Sequence, residues 1–508
     1  MKTKILTLII LSVFLSVSCS KFLDVKPAGK LIVQEGDIVS YDNLMNGSGI
    51  LGSGFKNPGN YIMLTDEIEV SDNHNTYNTN DSYVAGHNAY IFKTPYSNPI
   101  LKDNTWGAFY SVAQTYNCCI DGVNEVKTPA TTEEANATIA QATIGRAWSY
   151  FTASLLYGPV YKPNGTNSAK VLPYRKTSQV LAPMEDLSTL DEVYASVSKD
   201  IHSVLKNVPE VVTGVARFGK VQTYSFLAYY HLFTAKYDSV AYYANKALTM
   251  AAEQNGGMDN LFYDMNKFSW ADSKVATEPD ARYRSSINTA QGTIALSDAN
   301  MREICLFKYI GITGLCYPSQ ELLGLFNATT DLRREYFFFE YDGYKGTLGG
   351  VAYNDGRRIQ NFQSKVAYTS GFTYPEILLM RAEGYARTGK TAEALADLNY
   401  LRKFRHKTGT PDLNISGADN IMLEIANERR REIPVCSHKR FADLKRYTKD
   451  AGKPWSKSGI THYLRGKSFT KNVDSEYFVI PIANDVIRYN PQWGLEENTT
   501  PWSKDFNF

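Results

Sequence analysis

Paired amphipathic helices constrain this chain more than any other feature of its sequence. In the clearest pair, small and large residues stand at the offsets of a tetratricopeptide repeat: Ala382, Tyr385, Gly389, Ala394, Leu398 and Leu401. Small residues let the two helices approach closely, Gly389 ends the first helix, and the large side chains fill the seam between them. Because one such pair cannot bury its apolar face alone, the pattern predicts several pairs stacked into a helical-repeat scaffold.

Further stretches of the chain carry the same helical spacing. Helical pairs are predicted near residues 134–205, 221–250 and 374–405. The single helices that the apolar positions indicate are Trp106–Val126, Glu134–Tyr157, Val221–Ala235 and Ser239–Met250. Thr189 and Glu192 stand three positions apart before an apolar stripe, and this spacing predicts a capping box at the start of another helix.

Irregular segments separate the helical pairs. Residues 66–99 and 256–300 are rich in Asn, Asp, Ser, Thr and aromatic residues, a composition typical of long loops. Glu303–Asn361 mixes glycine turns with strand-like runs such as Tyr336–Tyr341. The last predicted helix, Ile421–Glu432, is strongly charged on one face. We therefore expect a mainly α fold: a tetratricopeptide-like scaffold with a large irregular, loop-rich insert and little β structure.

The first residues of the chain have the form of an export signal. Lys2 and Lys4 precede an apolar stretch, Ile5–Val17, which is too short to cross a bilayer comfortably. Leu15–Cys19 places small or apolar residues before a single cysteine and resembles the lipobox of bacterial lipoproteins. A secretory signal followed by a chance cysteine is the alternative, but the residues before Cys19 favour lipid attachment.

These signals divide the chain into three parts. Residues 1–18 are the predicted signal peptide, 19–35 a lipidated tether, and 36–508 a single large domain. Several acyl chains hold a protein to a membrane firmly, so the mature protein is expected to sit on a membrane without crossing it.

Charge and cysteine usage exclude several classes of function. The formal net charge of +2 includes Lys2 and Lys4, so the mature side chains balance to 2 − 2 = 0. This balance argues against a nucleic-acid partner, because phosphate binding depends on a basic surface. The remaining cysteines show no regular spacing and are predicted to be buried small hydrophobic residues rather than a disulfide framework: Cys118, Cys119, Cys305, Cys316 and Cys436.

Sequence signatures of catalysis are missing. The chain shows no nucleophile elbow, phosphate-binding loop, dinucleotide fingerprint or zinc-binding His-Glu-x-x-His. Asp66, Glu67, Glu69 and Asp72 cluster, but such a cluster is more often a solvated loop, or occasionally a calcium site, and its role is left open. We therefore expect a protein that is not an enzyme and has no cofactor and no metal site.

Aromatic residues in polar loops are the better candidates for function. The C–H faces of a sugar ring pack on aromatic rings, while its hydroxyls need Asn, Asp, Arg or Gln at the rim. Two loops have this mixture, and the candidate glycan-binding residues are Asn75, Tyr77, Tyr83, Tyr96, Phe268, Trp270, Arg282 and Tyr283. For any single ring, filling a gap where the loop lies on the scaffold is the simpler interpretation.

Motifs along nearly the whole chain resemble the SusD/RagB outer-membrane lipoproteins of Bacteroidetes. They occur in the order that the family shows: Cys19–Pro27, Arg146–Phe151, Tyr157–Val160, Tyr374–Glu383, Glu393–Asn399, Asn427–Glu432, Arg440–Arg446, Pro481-Ile482 and Asn490-Pro491. The sequence departs from the family at Val435-Cys436-Ser437-His438, where members usually carry Phe-Glu-Gly-His.

The resemblance implies a location and a partner. It implies a lipoprotein on the external face of the outer membrane, acting as a lid over a SusC-like TonB-dependent barrel that imports the captured ligand. Most characterised relatives bind polysaccharide or oligosaccharide, and some bind peptides. The leading hypothesis is therefore glycan capture without catalysis, and the alternative is oligopeptide capture by the same scaffold. The missing catalytic residues argue against a third hypothesis, a surface hydrolase.

Overall fold

Helices make up most of the structure, a computed structural model. It describes residues 37–51, 60–70, 72, 81–271, 286–289, 292–295, 302–308, 317–340, 345–348, 351–354, 359–362, 369–433 and 438–503. In chain order the helices are α1 (Ile38–Leu44), α2 (Ser48–Leu51), α3 (Asp81–Tyr90), α4 (Asn104–Val126), α5 (Thr132–Tyr157), α6 (Leu190–Val204), α7 (Lys220–Phe233), α8 (Tyr237–Gln254), α9 (Gln320–Gly324), α10 (Arg333–Tyr336), α11 (Tyr374–Arg387), α12 (Thr391–Arg405), α13 (Ala418–Glu432), α14 (His438–Tyr447) and α15 (Asn484–Arg488). The strands are β1 (Ile68–Glu69), β2 (Lys170–Leu172), β3 (Ser188–Thr189), β4 (Ser269–Trp270), β5 (Ser286–Thr289), β6 (Gly292–Ala295), β7 (Ile304–Leu306), β8 (Tyr317–Pro318), β9 (Phe338–Glu340), β10 (Lys345–Leu348), β11 (Val351–Asn354), β12 (Ile359–Phe362), β13 (Phe372–Thr373), β14 (Gly459–Leu464) and β15 (Lys467–Asn472). The prediction of a mainly α fold with little β structure is confirmed.

The strands form small antiparallel sheets among the helices. Strands β4, β5 and β6 make a three-stranded sheet in that order, and the others pair as β1–β8, β2–β3, β7–β13, β9–β12, β10–β11 and β14–β15. Two of these pairs join distant parts of the chain, since Ile68 lies opposite Pro318 and Phe372 lies opposite Leu306. They fasten the irregular insert to the helical scaffold.

The scaffold is a series of helices that pack on their neighbours. Helix α4 packs on α5 and α5 on α6, while α7 packs on α8, α8 on α11, and α11 on both α12 and α13. Apolar side chains from these helices form one large core cluster. The predicted capping box at the start of α6 is present: the backbone N–H of Thr189 donates to Glu192 Oε2 at 2.7 Å, and the N–H of Glu192 donates to Thr189 Oγ1 at 3.2 Å.

The helices α11 and α12 form the predicted tetratricopeptide-like pair. Ala382, Ala394, Leu398 and Leu401 are fully buried in its seam. Gly389 follows the end of α11 with a φ of 82°, a left-handed conformation that glycine adopts without strain. The small residues of this pair therefore do what the sequence pattern predicts.

Two local predictions are corrected by the structure. Residues 66–99 are not one long loop, because they contain β1 and helix α3, whose buried face is formed by Val84, Ala85, Ala89 and Tyr90. The strand-like run Tyr336–Tyr341 is shorter than expected, because its first residue ends helix α10 and β9 begins only two residues later. In both places polar or mixed composition concealed the periodicity of a short element.

The predicted charged helix is present as α13. All five charged residues at its end, from Glu428 to Glu432, are buried. Arg333 Nη1 donates to Glu428 Oε1 and to Glu432 Oε1, both at 2.7 Å. Arg405 Nε donates to Glu432 Oε1, also at 2.7 Å. The charges therefore point into the molecule, where each one meets a partner of opposite sign.

Two arginines of α13 reach other parts of the chain. Arg429 Nε donates to Asp443 Oδ2 of α14 at 3.1 Å, and Arg430 Nε donates to Glu67 Oε1 at 3.1 Å. Arg431 donates to Glu428 on the preceding turn at 2.9 Å. The end of α13 thus connects α10, the helix pair α11 and α12, and the segment near β1.

The thiols that the structure describes are free. Cys119 and Cys305 are buried, as predicted, whereas Cys118 is only half-buried. Burial raises the pKa of Cys119 and Cys305 to about 12, so both remain protonated. Cys316 and Cys436 lie outside the described residues.

The predicted signal peptide and tether, residues 1–35, also lie outside the described residues. None of the helices in the part of the chain that the structure describes is both long enough and apolar enough to span a membrane.

Gly384 offers a test of the helix packing. A Cβ at this position would lie 2.7 Å from the backbone nitrogen of Ala241 and 3.0 Å from its Cβ, so α8 and α11 must separate to admit it. We expect Gly384→Ala to lower the free energy of unfolding by roughly 1–3 kcal/mol, measured by urea unfolding. The control is Gly324→Ala in α9, where the added Cβ meets nothing within 4 Å. An equal effect of the two substitutions would contradict the close packing.

Glu428 offers a test of the buried charges. Burial alone would raise its pKa, but Arg333 and Arg431 outweigh burial and lower the pKa from 4.5 to about 2. Because the folded-state pKa is the lower one, this stabilisation is complete above pH 4.5 and is lost as the pH falls towards 2. We expect Glu428→Gln to cost about 3–5 kcal/mol in urea unfolding at pH 7 and progressively less between pH 4.5 and 2.

The control for this prediction is Glu134→Gln on the exposed face of α5. It should leave the unfolding free energy within about 0.5 kcal/mol at every pH, as surface substitutions usually do. A cost of Glu428→Gln that stays constant from pH 7 to pH 3 would show that the carboxylate charge does not matter.

Candidate functional site

Trp270 lies at the surface end of a group of packed aromatic rings, which also contains Tyr336. It belongs to β4, whose pairing with β5 places it opposite Ile287. Its half-buried ring packs on Tyr336 with 5.3 Å between centroids and an angle of 46°, and its Nε1 donates to Glu335 Oε1 at 3.3 Å. The exposed carboxylate of Glu335 therefore stands at the edge of the Trp270 ring, and Tyr336 supports that ring from the protein side.

Phe268 lies beneath this aromatic group. Its ring is 8% exposed and packs edge-on against Tyr263 and Tyr336, with centroids 5.6 and 5.3 Å away. The hydroxyl of Tyr336 donates to the carbonyl oxygen of Phe268 at 2.9 Å. Phe268 is therefore a core residue, and its described contacts hold in place the ring on which Trp270 rests.

Tyr96 lies in a different part of the fold. Its side chain is 2% exposed, and its hydroxyl donates to the carbonyl oxygen of Tyr477 at 2.7 Å. Its own carbonyl accepts from Trp502 Nε1 at 3.1 Å. Burial raises the pKa of the Tyr96 hydroxyl, which stays protonated. The ring lines a partly open cavity of about 430 Å³.

The acidic cluster near β1 is not a solvated loop. Asp66 and Glu67 are both buried, and Arg440 binds Asp66 through two hydrogen bonds of 2.8 and 2.7 Å. Burial alone would raise the pKa of Asp66, but Arg440 and Arg430 outweigh burial and hold the pKa well below its ordinary value. For Glu67 burial prevails and raises the pKa to about 7. These two carboxylates serve the fold through arginine pairs.

Two family models match the chain. The model described as "SusD family" matches residues 343–499, and the model described as "Starch-binding associating with outer membrane" matches residues 21–232. The two matches leave residues 233–342 between them and together span more than half of the chain. The chain belongs to the SusD/RagB family.

Solved structures of the SusD superfamily share its fold. A SusD superfamily protein from Bacteroides thetaiotaomicron VPI-5482 superposes with a TM-score of 0.64 at 17% identity, covering 89% of this chain and 98% of that one. A SusD superfamily protein from Bacteroides vulgatus ATCC 8482 gives 0.61 at 15% identity, covering 92% and 100%. A SusD-like carbohydrate binding protein from the same strain gives 0.57 at 15% identity, covering 90% and 97%. Identity this low establishes the fold alone. A search of curated protein sequences gives no significant match.

The candidate residues of this SusD/RagB chain do not form one site among the described residues. Trp270 lies beside Glu335 and Tyr336, and Tyr96 shares none of these neighbours. Asn75, Tyr77, Arg282 and Tyr283 lie outside the described residues, and Tyr83 is described only as a backbone position within α3. Their role in glycan binding stays a prediction.

Sequence reasoning missed Glu335 and Tyr336. They stand 65 and 66 positions after Trp270, in a stretch that reads as a strand, and no local pattern joins them to it. Only the fold, in which α10 lies beside β4, shows that they support and flank the tryptophan.

Proposed function

We propose that this protein captures polysaccharide or oligosaccharide at the cell surface without converting it chemically. The observation that carries the proposal is the Trp270 ring, which is held on Tyr336 and flanked by the Glu335 carboxylate. The ring offers an apolar face for sugar C–H groups, and the carboxylate offers an acceptor for hydroxyl groups at its edge.

Family membership supports the same function. One matching model is described as starch-binding in association with the outer membrane, and one relative with the same fold is described as a SusD-like carbohydrate binding protein. We extend both descriptions to this chain and propose a lipoprotein anchored through Cys19 on the outer face of the outer membrane. Its proposed partner is a SusC-like TonB-dependent barrel, which would import the captured glycan.

Oligopeptide capture is the alternative function. A peptide ligand would depend on charged and main-chain contacts more than on an exposed aromatic ring. The alternative therefore predicts that binding survives the loss of the Trp270 ring, and the two functions separate in one experiment.

Trp270→Ala tests the proposed glycan site. We expect calorimetry with a panel of polysaccharides and mixed oligopeptides to find a glycan ligand, and Trp270→Ala to weaken its binding at least about tenfold, or ~1.4 kcal/mol. The control is Tyr242→Ala on α8, which removes a 53% exposed ring at a different place in the fold. Thermal melting verifies that both variants are folded.

Three outcomes of this experiment are informative. Loss of glycan binding in Trp270→Ala alone supports the proposal. Unchanged glycan affinity in this variant shows that Trp270 is not at the site. Binding of peptides without any glycan supports the alternative function.

Cys19→Ser tests the proposed anchor. A serine has no thiol to carry diacylglycerol, so we expect the variant to leave the membrane fraction and to lose lipid label. The control is Cys118→Ser, the same chemical change at a half-buried position of α4, which should remain in the membrane fraction. Retention of the Cys19→Ser protein on membranes would contradict the anchor.

A further inference from the structure

The cavity beside Tyr96 lies where several parts of the chain meet. Its walls come from the segment of residues 95–105, the end of α5 and the segment of residues 480–484, and they also include Tyr61, Ala85 and Asn498. At about 430 Å³ it falls within the range of roughly 300–1,000 Å³ that is typical of small-ligand pockets. None of the residues of the Trp270 group lines it.

The inner wall presents rings whose hydroxyl groups are already bonded. Tyr96 donates to the carbonyl oxygen of Tyr477 at 2.7 Å, and Tyr157 donates to Asp103 Oδ2 at 2.9 Å. These two rings are 2% and 4% exposed, so they close the inner wall and present little surface to a ligand. The apolar surface that a ligand meets comes from the half-buried side chains of Ile480, Ile482 and Ala483.

The one carboxylate of the wall, that of Asp103, also has its hydrogen-bond partners within the protein. Asp103 Oδ1 accepts from the backbone N–H groups of Thr105 and Trp106 at 2.8 and 3.1 Å, and it thereby caps α4. Burial raises the pKa of Asp103. No arginine stands among the described residues that line the cavity, and its one lysine, Lys102, has an exposed side chain. The cavity therefore holds no concentration of charge that would select an anion or a cation.

The rim carries amide groups with free donors. Asn98 Oδ1 accepts from the N–H of Ile100 at 3.3 Å, and Asn498 Oδ1 accepts from the N–H of Thr500 at 2.9 Å. These bonds leave both Nδ2 groups without a partner among the described residues. The side chain of Asn104 is exposed and makes no hydrogen bond to any residue that the structure describes. Amides of this kind donate to and accept from sugar hydroxyl groups.

From this arrangement we propose that the cavity is a second carbohydrate site, which takes a neutral mono- or disaccharide unit. The C–H groups of the sugar pack on Ile480, Ile482 and Ala483. Its hydroxyls bond to the rim amides of Asn98, Asn104 and Asn498. The inference rests on the proposed function, glycan capture, and adds to it a short, uncharged subsite that is separate from Trp270.

Two cavity variants and one control test the site. Ala483→Trp fills the cavity from the segment of residues 480–484, and the double variant Asn98→Ala/Asn104→Ala removes rim amides while leaving the wall intact. The control is Ala130→Trp, the same enlargement at an exposed position next to α5. Thermal melting verifies the fold of each protein, and the double variant keeps the test valid if Ala483→Trp fails to fold.

The probes are glucose, maltose, mannobiose, xylobiose and cellobiose, with N-acetyl-Ala-Ala amide as an uncharged peptide. They are added to the mature protein, and binding is measured by calorimetry and ligand-observed NMR. We expect at least one saccharide to bind. Its affinity should fall at least tenfold in Ala483→Trp and several-fold in the double variant, and it should be unchanged in Ala130→Trp and Trp270→Ala.

The outcomes separate this inference from the proposed function. Saccharide binding that survives both cavity variants, binding of the peptide alone, or silence of all five saccharides at millimolar concentration overturns the cavity site. Loss of polysaccharide binding in Trp270→Ala bears only on the surface site. If that binding is unchanged while the cavity variants lose the saccharide, the cavity stands and the proposed role of Trp270 fails.

Discussion

The fold depends on a run of five buried charges at the end of α13. Removing charged groups from water is expensive, and a buried ion pair offsets that cost only when the geometry is good and every group has partners. Glu428 and Glu432 meet that condition through Arg333 and Arg405. Arg429 and Arg430 pair with carboxylates on other parts of the chain, and Arg431 pairs with Glu428 of α13 itself. A shift of α13 by one residue would leave several of these groups unpaired. The helix therefore fixes the register of the scaffold against the insert more strictly than apolar contacts alone would.

Periodicity predicted the scaffold well, because the signal is local. The seam at Ala382 and Leu398 and the box at Thr189 follow from the spacing of residues within one or two helices. The burial of α13 could not be predicted, because its partners are distant: Glu428 bonds to a residue 95 positions away and Arg430 to one 363 positions away. A charged helix in water and one matched by buried partners have the same local sequence. Helix α3 was missed for a related reason, since its polar composition concealed its buried residues.

The candidate site shows the same contrast between features that the local sequence predicts and features that depend on distant residues. Loop composition selected Trp270 and Phe268 alike, because it contains nothing that distinguishes a ring at the surface from a ring in the core. Only the contacts with Tyr336 separate the two roles. Tyr96 was chosen as a ring in a polar loop, whereas its surroundings are made by residues from the last part of the chain, such as Tyr477 and Trp502. Binding surfaces assembled from distant segments are accessible to sequence reasoning only one segment at a time.

The pairing of Asp66 with Arg440 has a consequence for the order in which the protein matures. A chain emerges from synthesis with its N-terminal end first, and Asp66 and Glu67 precede their arginines by more than 360 positions. Until those arginines have emerged, the first part of the chain carries two carboxylates that it cannot bury, and its own core stays incomplete. The fold can therefore be completed only when nearly the whole polypeptide is available.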